Sequence, residues 1–68
     1  MNATYERLVE RIVEDLVHQG LLTSSTCVSD AARIVRAHLA GHYTPEKCRK
    51  LEHDVINAWL RHLTLLHK

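Results

Sequence analysis

The sequence predicts an all-α protein: a single helical domain over 1–68, built as a three-helix, up-down-up antiparallel bundle that dimerisation could complete. Three observations point there. Apolar residues recur at i, i+3, i+4 and i+7 through three successive segments. The two glycines fall between those segments and the single proline opens the third, so they punctuate rather than interrupt. No stretch shows the two-residue alternation of a half-buried strand.

The first segment reads NATYERLVERIVEDLVHQGLL, with Tyr5, Leu8, Val9, Ile12, Val13, Leu16 and Val17 on one face. Glutamates, arginines, Asp15 and His18 fill the other, which is the pattern of an amphipathic helix over 3–19. Asn2 or Thr4 is expected to cap its start, and Gly20 to take the left-handed position just past its end. Leu21 is then expected to fold back on Leu16.

The second helix, expected over 25–40, follows a hydroxyl-rich connection in which Thr23, Ser24, Ser25 and Thr26 all offer N-caps. Val28, Ala31, Ala32, Val35 and Leu39 form its stripe, with Ile34 to one side and Gly41 as its stop. The two alanines allow a neighbouring helix to approach closely.

The third helix, expected over 45–66, opens on Tyr43-Thr44-Pro45-Glu46. Thr44 is a natural N-cap, and Pro45 in the first turn lacks only a donor that would be orphaned anyway. Glu46 complements the helix dipole, and Tyr43 can staple onto Cys48. Cys48, Leu51, Val55, Ala58, Trp59, His62 and Leu66 continue one line to the end.

Ile56 and Leu60 widen that line to an apolar arc of roughly 220°, where a surface helix shows about 100° or somewhat more. The excess predicts a protein-binding surface of Ile56, Trp59, Leu60 and Leu63. Burying such side chains is worth about 1.5–3 kcal/mol each, a large share of a small domain's stability. A homodimer is therefore expected, together with a larger protein partner.

Composition narrows the function classes. Sixty-eight residues, 46 % of them hydrophobic, make one small folded domain. The formal charge of +1 gives no global attraction for nucleic acid or anionic lipid. Its distribution is uneven: residues up to His18 carry a net −2, and the remainder carries +3. Glu6, Glu10, Glu14 and Asp15 make the first helix's polar face a second contact surface suited to a basic partner. Without a basic-then-apolar leader or an apolar run of spanning length, a cytoplasmic protein with no membrane partner is expected.

Six histidines are the compositional oddity, and His38 and His42 share the i, i+4 spacing of paired metal ligands. Gly41 stands between them, and Cys48 and His53 project in other directions, so no metal or other cofactor is expected. His62 lies within the apolar line, which places it at the core margin. Cys27 and Cys48, near the starts of the second and third helices, fall at opposite ends of the second, about 20 Å apart. That is too far for a disulfide, and neither thiol has a base partner. No constellation of nucleophile, base and stabiliser occurs, so no enzyme is expected.

One alternative competes. ARIVRAHLAGHYTPEKCRKLEH runs as helix, Gly-containing turn, then a helix opening with Lys47, Arg49, Lys50 and His53. Ala37 followed four residues later by Gly41 resembles the turn signature of the helix-turn-helix family. The resemblance covers about twenty residues and implies DNA binding, with the start of the third helix in the major groove. Lys47 and Lys50 stand where that pattern expects apolar side chains, and the low net charge suits phosphate poorly. The principal expectation is a small non-catalytic interaction module: a regulator, adaptor or inhibitor. A phage- or mobile-element-encoded inhibitor that occludes a larger partner fits that size and lack of chemistry.

Overall fold

A computed structural model describes residues 3–66, with the side chains of 3–64. Helices α1 (Ala3–His18), α2 (Val28–Leu39) and α3 (Pro45–Leu66) follow one another, and no strand occurs among the described residues. Asn2, His67 and Lys68 lie outside the described residues, as do the side chains of Leu65 and Leu66.

Helix α1 buries Val9, Ile12, Val13 and Leu16, the centre of its stripe, and leaves Tyr5 and Leu8 half-buried. Thr4 lies inside the helix rather than capping it. Gly20, at φ +77°, ends the helix in a Schellman motif. The Gly20 N–H donates to Val17 O at 3.0 Å and the Leu21 N–H to Leu16 O at 3.0 Å. Leu22 rather than Leu21 supplies the apolar contact after this reversal. Leu22 is buried, whereas Leu21 is 43 % exposed.

The connection to α2 is more ordered than a series of competing caps. The Thr26 N–H donates to Thr23 O at 3.0 Å, and the Thr23 N–H donates to Thr26 Oγ1 at 2.9 Å. These hydroxyls satisfy one another's backbone, as Ser and Thr do when they compete with helix. Helix α2 consequently begins at Val28, about one turn later than expected, with Cys27 at the N-cap and no side-chain cap bond. Ala31, Val35 and Leu39 are buried at successive turns, while Val28 is 52 % exposed at the free end of the stripe. At the other end, Ala40 (φ −61°, ψ 133°) and Gly41 (φ +86°) form a type II turn. The His42 N–H closes it on Leu39 O at 3.1 Å.

Helix α3 starts as its sequence dictates. Thr44 Oγ1 accepts from the Lys47 N–H at 3.3 Å, the N-cap bond that Pro45 leaves room for. The Cys48 thiol sits between the two helices, donating toward Tyr43 O at 3.4 Å and Leu39 O at 3.5 Å. At about 1.5 Å per residue α3 is about 33 Å long, which matches the 34 Å long axis of the molecule. Leu51, Val55 and Trp59 are buried along it. Both α1 and α2 pack on α3, and the backbones of α1 and α2 do not approach each other closely.

Two polar contacts tie the shorter helices to this spine. The Tyr5 hydroxyl donates to Asp54 Oδ2 across 49 residues of chain, and Lys50 Nζ lies 5.1 Å from the centre of the Tyr5 ring. On the other side the Arg36 guanidinium holds Glu52 through both carboxylate oxygens, at 2.9 and 3.3 Å. Burial, the hydrogen bond to Asp54 and the charge of that carboxylate, in that order, push the Tyr5 phenol up from 10.0 to about 12. None of the described helices is long and apolar enough to cross a membrane.

Two outcomes follow from this geometry. Gly20→Ala and Gly41→Ala should each lower stability by about 1 kcal/mol in denaturant titrations, with Asn costing less. No atom lies within 4 Å of an added Cβ at either site, so the cost is one of backbone conformation alone. Tyr5→Phe should cost about 1–2 kcal/mol at pH 8, the net worth of a hydrogen bond to a charged acceptor at a half-exposed site. Because the folded pKa of Tyr5 lies above the unfolded value, that advantage is intact below pH 10 and lost as pH rises through about 12. The gap between wild type and Tyr5→Phe should therefore narrow above pH 10.

Candidate functional site

The four apolar residues proposed as a surface do not share one environment. Trp59 is 1 % exposed and is the largest fully buried side chain, so it belongs to the intramolecular core. This corrects its assignment to an interface. The widened arc of α3 placed Trp59 beside Ile56 and Leu60, but its azimuth continues the line of Leu51 and Val55 beneath α1 and α2. Ile56 and Leu63 are half-buried against that core. Leu60 is 36 % exposed.

His62 departs from expectation in the opposite sense. It falls on the same line as Val55 and Trp59, yet it is exposed. The shorter helices cover α3 as far as Trp59, and their cover thins one turn later.

A groove of about 1130 Å³ runs between α1 and the C-terminal half of α3. Glu6, Glu10 and Glu14, all exposed, stand along the α1 wall, with Val9 and Val13 at its foot. The α3 wall carries Asp54, Ala58, Leu60, Arg61 and His62. The Tyr5–Asp54 hydrogen bond closes one end and fixes the spacing of the two helices there. Two surfaces that sequence reasoning kept apart, the acidic face of α1 and the apolar side of α3 at Leu60, thus meet in one groove. The glutamates are spaced at i, i+4 and i+8, but their meeting with Leu60 depends on how α1 registers against α3. No local pattern encodes that register.

Lys47, Arg49, Lys50 and His53, the residues of the helix-turn-helix alternative, are all exposed on the first turns of α3. Two of them lean on aromatic rings: Lys47 Nζ lies 5.8 Å from the Tyr43 centroid, and Lys50 packs over Tyr5. His53 Nδ1 is 3.2 Å from the Asn57 amide and 3.6 Å from Asp54 Oδ1.

The histidine pair lies elsewhere. His38 and His42 have ring centroids 6.4 Å apart and line a smaller recess, about 450 Å³, opposite Leu8, Arg11 and Asp15. Among the described residues no three His, Cys, Asp or Glu side chains converge as metal ligands would. Both cysteines are free, Cys27 exposed and Cys48 half-buried. No charged or polar residue among those described is buried.

Compared with protein-family models, with curated proteins and with solved structures, the chain matches none.

The division between Trp59 and Leu60 is open to a direct check by denaturant unfolding. Trp59→Ala should cost about 3–5 kcal/mol, enough to unfold a domain of this size, whereas Leu60→Ala should cost under about 1 kcal/mol in the isolated chain.

Proposed function

We propose that this protein is a small non-catalytic protein–protein interaction module, acting as a regulator, adaptor or inhibitor, with the C-terminal half of α3 as its contact surface. The observation that carries the reading is Leu60, 36 % exposed in mid-helix between the half-buried Ile56 and Leu63. An apolar strip of this kind on a domain with a small core is worth most when a second chain covers it. A second copy is the first partner, adding apolar area to an up-down-up arrangement that the Tyr5–Asp54 and Arg36–Glu52 contacts favour. A larger protein is the second partner, which the module would occlude, as an inhibitor encoded by a phage or mobile element does. The setting proposed for this action is cytoplasmic.

Sedimentation equilibrium tests the self-association. The wild-type chain should dimerise in the micromolar range, and Leu60→Glu should be monomeric with an unchanged helical circular-dichroism spectrum. A wild-type monomer at high micromolar concentration would remove the homodimer. Affinity capture with wild-type and Leu60→Glu chains then asks whether a larger partner uses the same strip.

Exposure of Lys47, Arg49, Lys50 and His53 supports one second reading, DNA binding through the start of α3. Duplex binding that falls steeply with salt and is abolished by Lys47→Glu with Arg49→Glu would establish it, and salt-insensitive or absent binding would dismiss it.

A further inference from the structure

The groove between α1 and α3 has a chemistry of its own. Its α1 wall repeats a carboxylate every four residues at Glu6, Glu10 and Glu14, about 6 Å apart along the helix axis. Asp54 adds a fourth carboxylate from α3, against one full cation, Arg61, among the described lining residues. Between the charges lie Val9, Val13, Ala58 and Leu60. Val9 and Val13 still show a few per cent of their surface to solvent, and Leu60 shows 36 %. The groove is therefore apolar along its base and negative along its edge.

We infer that this groove is a docking site for a cationic amphipathic helix of another protein. The helix would lay a Leu-like stripe on Val9, Val13, Ala58 and Leu60 and present Lys or Arg every four residues to Glu6, Glu10 and Glu14. The match is one of period as well as sign. Cations at i, i+4 and i+8 on an incoming helix recur with the same rise of about 6 Å, so all three pairs form in one register. The span from Glu6 to Glu14 accommodates about three turns of helix. Charge also selects against a second copy here. Two such grooves laid face to face would bring eight carboxylates together against two arginines, so the proposed self-association would use the Ile56, Leu60 and Leu63 side of α3, which touches the groove only at Leu60. This partner class extends the interaction-module reading; its groove meets the proposed strip at Leu60 and otherwise draws on α1 and on residues of α3 outside that strip.

A synthetic peptide of about fourteen residues, with Leu and Lys alternating at helical spacing, is the probe. It is titrated, fluorescently labelled, against the full chain, alongside a scrambled peptide of the same composition and a Leu/Glu peptide of the same pattern. The patterned Leu/Lys peptide should bind, gain helicity and shift the amide signals of Val9, Val13, Ala58 and Leu60. The combined Glu6→Gln, Glu10→Gln, Glu14→Gln variant changes only exposed side chains and should fold normally. It should weaken binding about tenfold and flatten the salt dependence. Equal binding of the scrambled peptide, no loss in the triple variant, or shifts confined to other surfaces would each overturn the assignment. Sedimentation of the wild-type chain beside its peptide titration separates the two surfaces. Intact dimerisation without peptide binding sinks the groove and spares the strip, and peptide binding by a strictly monomeric chain does the reverse.

Discussion

Burial of one line on α3, Leu51, Val55 and Trp59, is the constraint on which the other features depend. Both shorter helices pack on that line, and they do not approach each other as backbones, so α3 serves as a spine rather than as one of three equal partners. The molecule is accordingly thin, 18 Å in its shortest dimension. Each shorter helix contributes one narrow stripe: Val9, Ile12, Val13 and Leu16 from α1, and Ala31, Val35 and Leu39 from α2. A core this small leaves little reserve, and Trp59 is its largest member. Its indole N–H is buried without an acceptor among the described residues. An unmade hydrogen bond of that kind costs about 1–3 kcal/mol, which the apolar area of the ring must exceed.

The position of α3's neighbours also decides where its apolar surface is available. The shorter helices reach as far as Trp59, so the tryptophan is covered and His62, one turn on, is not. Ile56 and Leu63 contribute part of their surface to the core and part to solvent. Leu60 contributes mainly to solvent. The binding surface proposed for the chain is thus smaller than a helical wheel implies, because the widest side chain on the wheel is already used in folding.

Electrostatics follows the same division. A net charge of +1 conceals an acidic α1 beside a cationic remainder. The fold does not neutralise the acidic face by packing basic residues onto it. It places Glu6, Glu10 and Glu14 along a groove whose other wall is partly apolar, while Lys47 and Lys50 are drawn to tyrosine rings. Among the described residues the Arg ion pairs, Arg36 with Glu52 and Arg33 with Asp30, lie on largely exposed surface, where such pairs add little stability. Unpaired charge along an apolar trough favours association with a partner of opposite sign.

Local chemistry made most of the secondary structure legible. Stripe periodicity, Thr44-Pro45, Gly20 and Gly41 determined three helices and two stops, because caps and left-handed turns depend on residues a few positions apart. The start of α2 was missed, since four hydroxyls in a row can close a turn on themselves as readily as they cap a helix. Of the candidate surface, the exposure of Leu60 and the acidity of α1 were readable from the sequence. The burial of Trp59, the exposure of His62 and the meeting of Glu6, Glu10 and Glu14 with Leu60 were decided by tertiary structure alone. Each depends on how far one helix reaches along another and in which register. That is a property of side chains interlocking across forty or more residues of chain, and no periodicity within a single helix carries it.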